Sequence, residues 1–128
     1  MLKKFTQLSF LVEGGCFVDN LHGIRVLPHK AHYSSKNTIE ICKKLCFEKG
    51  YLYAGVEYSR ECFCGNDCPK KIAPRQTDCN MGCSGDKSQK CGGGNRINVY
   101  KSAGKNIRYL FVSIYYMSSY LLTLFFPS

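Results

Sequence analysis

Hydrophobic and polar positions change period several times along the chain, and each change marks an element. Residues 39–50 read IEICKKLCFEKG, with apolar side chains recurring at helical spacing. Asn37 or Thr38 can supply the capping oxygen, Glu40 stands in the first turn, and Gly50 suits the C-terminal cap. The pattern then switches to YLYAGVEY at 51–58, rich in aromatic and β-branched residues, and to ECFCG at 61–65; both predict strands. Gly92-Gly93-Gly94 predicts a tight turn into a further strand over Ile97–Tyr100. If Leu52, Ala54 and Val56 face inward, Tyr51 and Tyr53 face outward, where tyrosine can stack on a sugar ring. The competing reading packs both rings under a loop.

Cysteine dominates the central stretch. Nine cysteines stand at 16, 42, 46, 62, 64, 68, 79, 83 and 91. On the helix, Cys42 and Cys46 share a face about 6 Å apart along the axis. On the strand, Cys62 and Cys64 point to one side about 6.6 Å apart. A helix lying along a strand could therefore be stapled twice, as 42–62 with 46–64 or as the crossed pair. Cys83 and Cys91 flank SGDKSQK, a turn-rich loop that a bridge can close. Cys16 would then join Cys79 or Cys68, and one thiol is left over.

These residues carry a family resemblance. Gly15-Cys16-Phe17-Val18-Asp19, Thr38-Ile39-Glu40-Ile41-Cys42-x3-Cys46, Tyr51-x-Tyr53-Ala54-Gly55-Val56 and Glu61-Cys62-Phe63-Cys64-Gly65-Asn66 occur in that order. Asp78-Cys79-Asn80-x2-Cys83-Ser84-Gly85-Asp86 and Cys91-Gly92-Gly93-Gly94-Asn95-Arg96-Ile97-Asn98-Val99-Tyr100 follow. The chain resembles the WSC domain, a small cysteine-rich module of fungal cell-wall stress sensors, kremen receptors, polycystins and some xylosyltransferases. The resemblance implies the bridges Cys16–Cys79, Cys42–Cys62, Cys46–Cys64 and Cys83–Cys91, with Cys68 unpaired. It also implies a small disulfide-rich α+β fold, one short helix on a twisted antiparallel sheet akin to PAN/apple modules. The implied function is carbohydrate binding without catalysis. The implied alternatives are a protein-interaction or spacer module of a receptor, or a fragment of a WSC-bearing glycosyltransferase.

Composition sharpens this picture. The chain has 128 residues, one domain's worth, and is 45% hydrophobic, which is enough to build a core. Four bridges would contribute about 2–4 kcal/mol each and place the module in an oxidising compartment. Eighteen Lys and Arg against nine Asp and Glu give a net charge of +9. That charge suits a solvated surface or acidic glycans; no nucleic-acid motif accompanies it. Zinc is disfavoured, since no C-x2-C pair occurs and His22, His29 and His32 read as residues of one loop. No cysteine has a neighbouring histidine to activate it, Asp67, Asp78 and Asp86 sit in turn contexts, and no cofactor is implied.

The chain therefore divides into three parts. Residues 1–13 form a leader, either a weak signal peptide or a truncated upstream segment. Residues 14–101 form the cysteine module. Residues 102–128 form an apolar tail, in which Tyr109–Phe126 carries no charge and would extend about 27 Å as a helix. The tail reads as a membrane anchor, as a lipid-anchor signal, or as sequence read through a splice donor at Gly104-Lys105. Expected partners are a polysaccharide or glycan, a protein, or a membrane through 109–126, at the cell surface or outside it.

Overall fold

A computed structural model describes residues 13–67 and 69–103. The leader up to residue 12, Cys68 and the tail from residue 104 lie outside the described residues. Five strands form one antiparallel sheet: β1 (Gly15–Val18), β2 (His29–Tyr33), β3 (Tyr53–Glu57), β4 (Glu61–Gly65) and β5 (Arg96–Lys101). The order across the sheet is β1-β5-β3-β4-β2, so the last of the described strands sits beside the first and next to the central hairpin. Among the described residues one α-helix, α1 (Ile39–Glu48), packs on one face, and a short 3-10 turn spans Gln76–Asp78. The protein is a small disulfide-rich α+β module. Among the described residues no helix is long and apolar enough to cross a membrane.

Local chemistry sets the helix ends. The Thr38 hydroxyl accepts from the Ile41 N–H at 3.2 Å, so Thr38, not Asn37, is the cap. At the other end Gly50 adopts φ +84°, which lets its N–H reach the Phe47 carbonyl and the Tyr51 N–H reach the Cys46 carbonyl. This paired closure satisfies the last carbonyls and turns the chain straight into β3.

The sheet has a core on each face. On the helix side, Cys42, Cys46, Ala54, Val56, Cys62 and Cys64 are buried together with Cys83 and Cys91. On the outer side, Phe17, Leu27, Phe63, Ile97 and Val99 form a second cluster under the segment that leads into β2. Gly55 lies between them and needs to be glycine: a Cβ there would run into Ile97 and stand 2.9 Å from Leu27 Cδ1. A third, smaller cluster joins Cys16, Ala73 and Cys79.

Two expectations need correction. His29 and His32 are not loop residues, because His29–Tyr33 pairs with β4 as an edge strand. Leu52 does not face inward with Ala54 and Val56; it is 57% exposed, because β3 begins only at Tyr53 and Leu52 precedes the alternation.

Candidate functional site

Four disulfides fix the scaffold: Cys16–Cys79, Cys42–Cys62, Cys46–Cys64 and Cys83–Cys91. The helix is thus stapled to β4 in the uncrossed sense. The Sγ atoms of Cys42, Cys46 and Cys62 lie within 4.8 Å of one another. Each is held in a bridge, which leaves no thiolate to ligate a metal.

Asn37 ties the helix entry to the rest of the module. Its side-chain amide donates to the Ser59 and Glu61 carbonyls, and its oxygen stands 2.7 Å from His32 Nε2. Its backbone N–H reaches the Ser84 hydroxyl, and its carbonyl accepts from the Gly85 N–H. The residue is fully buried, and each of these polar groups has a partner.

Tyr51 and Tyr53 part company. Tyr51 is half-buried, packs against the helix-side core, and stacks on the His29 ring with centroids 4.7 Å apart. Its carbonyl accepts from the Ser102 hydroxyl, which anchors the position. Tyr53 is also half-buried but packs against the outer-face cluster. The two rings do not share one exposed platform, because Tyr51 lies before the strand and follows no alternation with Tyr53.

Among the described residues the most open aromatic lies elsewhere. On the outer face, β4 presents Glu61 and Phe63, and β2 runs antiparallel with Lys30 opposite Phe63 and Tyr33 opposite Glu61. Positions 30 and 33 of a regular strand would point to opposite faces. A register shift between Lys30 and His32 inserts one extra residue, and this restores Tyr33 to the face that carries Lys30. Tyr33 is 59% exposed, with Lys30 Nζ 5.5 Å and Arg60 Cζ 5.9 Å from its ring centroid. Lys30 Nζ also lies 5.7 Å from the Phe63 centroid and 3.2 Å from Glu61 Oε1.

The turn that carries Arg60 is held tightly. Tyr58 and Ser59 both adopt positive φ, at 48° and 68°, which is strained for a tyrosine. The Ser59 N–H donates to the Cys91 carbonyl and its hydroxyl to the Gly82 carbonyl, so the Cys83–Cys91 loop clamps the turn. The Arg60 carbonyl in turn accepts from the Ser34 N–H, just past Tyr33.

Beneath this surface lies a buried charge group. Arg25 donates to Asp19 Oδ2 at 2.8 Å and stands 3.4 Å from Glu57 Oε1, with its guanidinium 4.8 Å from the Phe63 centroid. Burial, then hydrogen bonding to Asp19 and its charge, push Glu57 up to about 9. Burial also opposes ionisation of Asp19, but hydrogen bonds from Glu57, the Val26 N–H and Arg25 outweigh it and hold Asp19 below its ordinary value. The pair therefore carries one proton and one negative charge at neutral pH, matched by Arg25.

Comparison with known proteins now decides the family, since the WSC domain model matches residues 14–93. The chain belongs to the WSC domain family. The folded unit runs further than the match, because β5 (Arg96–Lys101) supplies the sheet's link between β1 and β3. A WSC domain-containing protein of Arthroderma benhamiae is 42% identical over 95 residues, 73% of this chain and 10% of that protein. Kremen protein 2 of Homo sapiens is 40% identical over 90 residues, 68% of this chain and 19% of that protein. Xylosyltransferase oxt of Drosophila melanogaster is 37% identical over 89 residues, 69% of this chain and 10% of that protein. The WSC chain thus spans only a tenth to a fifth of the length of these relatives.

Proposed function

We propose that this WSC module is a non-catalytic carbohydrate-binding domain that works outside the cell or at its surface. The observation that carries the reading is Tyr33, an aromatic ring more than half exposed on a strand that disulfide-stapled β4 holds in place. A fixed ring offers an apolar face to sugar C–H groups at little cost in side-chain entropy. Tyr51, stacked on His29 on the helix side of the sheet, offers a ring surface separate from Tyr33, while Tyr53 supports the outer core. Eight described cysteines paired in four bridges support the oxidising location.

The alternative is a protein-interaction or spacer role, supported by the likeness to Kremen protein 2, or a place beside a catalytic domain, supported by the likeness to xylosyltransferase oxt. Pull-down of the oxidised full chain on a panel of insoluble and soluble polysaccharides separates them, with the reduced chain as control. Binding by the oxidised form, lost on reduction and weakened about tenfold by Tyr33→Ala, is the expected result. Absence of binding to every polysaccharide, from protein whose mass shows four bridges, would reject the carbohydrate reading.

A further inference from the structure

We propose that the outer face around Tyr33 takes an acidic polysaccharide, its carboxylate or sulfate groups held by Lys30 and Arg60 while the tyrosine ring packs on a sugar face. The inference rests on the carbohydrate-binding reading and specifies the charge of the ligand. Arg60 is exposed, and among the described residues it makes no ion pair. An uncompensated guanidinium offers five donors in a planar fork that matches a carboxylate or sulfate. Lys30 is half-exposed and meets one oxygen of Glu61, so two of its three N–H donors are left for a ligand.

The two cations flank the ring without covering it closely. At 5.5 and 5.9 Å from the centroid they stand near the outer limit of about 6 Å for a cation–π contact. A ligand anion can therefore engage them while its sugar ring sits on Tyr33. The acidic groups of the same face are already engaged: Asp19 and Glu57 are buried under Arg25, and Glu61 faces Lys30. Neutral sugars present hydroxyl donors that carboxylates hold best, so the groups left open here favour an anion. Lys36 follows Tyr33 within the same connection, and residues 16–101 hold 14 basic against 8 acidic side chains, so the wider field has the same sign. β2 is also the edge of the sheet, which lets a polymer run past on the open side.

The test uses the oxidised full chain and four polymers: dextran sulfate, polygalacturonate, uncharged dextran, and polyglutamate as a polyanion without sugar. Binding to dextran sulfate and polygalacturonate, with none to dextran and weaker binding to polyglutamate, is the expected pattern. Raising salt from about 50 to about 200 mM should weaken the acidic polymers' binding. K30Q/R60Q should reduce the slope of log affinity against log salt by about two, and Arg60→Gln alone, at an exposed turn position, by about one. Tyr33→Ala should weaken binding about tenfold and Tyr33→Phe should restore it. Binding to neutral polysaccharides alone, unchanged by K30Q/R60Q, would overturn this inference and leave the carbohydrate reading standing. Binding to polyglutamate as strong as to the acidic sugars, indifferent to Tyr33→Ala, would reduce the surface to a generic charge effect and overturn it as well. No binding to any of these polymers or to the wider polysaccharide panel would overturn both.

Discussion

Glu57 shows what one buried side chain does to the module. It is an acid placed where its charge would be poorly solvated, so it keeps its proton and donates it toward Asp19. The consequence for stability follows from its sign. The folded pKa stands above the ordinary value of 4.5, so Glu57 stabilises fully below that value and the benefit is lost as pH rises to about 9. Asp19 runs the other way: its depressed pKa gives stability above its ordinary 3.8 that is lost as pH falls through the folded value. Glu57→Gln keeps a donor toward Asp19 but cannot ionise. Urea midpoints of the wild type should fall between pH 5 and pH 9, while those of Glu57→Gln stay level. A parallel fall in both proteins would assign the alkaline loss to other groups.

At the scale of elements, the join between helix and sheet separates two neighbouring polar residues by weight. Thr38 caps α1 from a partly exposed position with one hydrogen bond, and Thr38→Ala should cost about 1 kcal/mol. Asn37 is fully buried and serves the Ser59 and Glu61 carbonyls as well as His32. Asn37→Ala strands those groups away from water, and should cost about 2–3 kcal/mol. Equilibrium urea unfolding of the two variants checks the order; equal losses would mean that the Asn37 network contributes little beyond the cap. Tyr33 owes its position to a strand irregularity. Its place beside Lys30 depends on a bulge in an edge strand, which also blunts that edge against pairing with another chain.

For the whole molecule, the bridges differ by the length of chain they close. Cys16–Cys79 joins residues 63 apart, whereas Cys83–Cys91 joins residues 8 apart. Loop-closure entropy alone gives about 4 kcal/mol for the first and about 2.5 for the second. Cys16→Ser/Cys79→Ser should therefore lower the unfolding free energy more than Cys83→Ser/Cys91→Ser. The short bridge has a second duty, since its loop clamps the strained turn at Tyr58 and Ser59. Its loss should weaken polysaccharide binding out of proportion to its modest stability cost, measured on protein that remains folded. A variant that unfolds as readily as the long-bridge pair would show that the clamp matters to the fold itself.

The division between sequence and tertiary structure follows from the range of the interactions. Helix α1, its Gly50 closure and strands β3, β4 and β5 were legible because caps, turn residues and side-chain periods act within a few residues. Spacing alone left the helix–strand staple open between two pairings; the family resemblance implied one of them, and the fold holds that one. The surface around Tyr33 was not legible. Its strand reads HKAHY, without clean alternation, and the extra residue that aligns Lys30 with Tyr33 exists only against β4. In the sequence Tyr51 and Tyr53 read as an alternating pair, but Tyr51 does not share the alternation, since β3 starts after it. Likewise Asp19, Arg25 and Glu57 become one proton-sharing group only when β3 meets the loop after β1. Local pattern determines which segments form elements; which side chains then share a surface or a proton is settled by strand register, which the chain fixes only on folding.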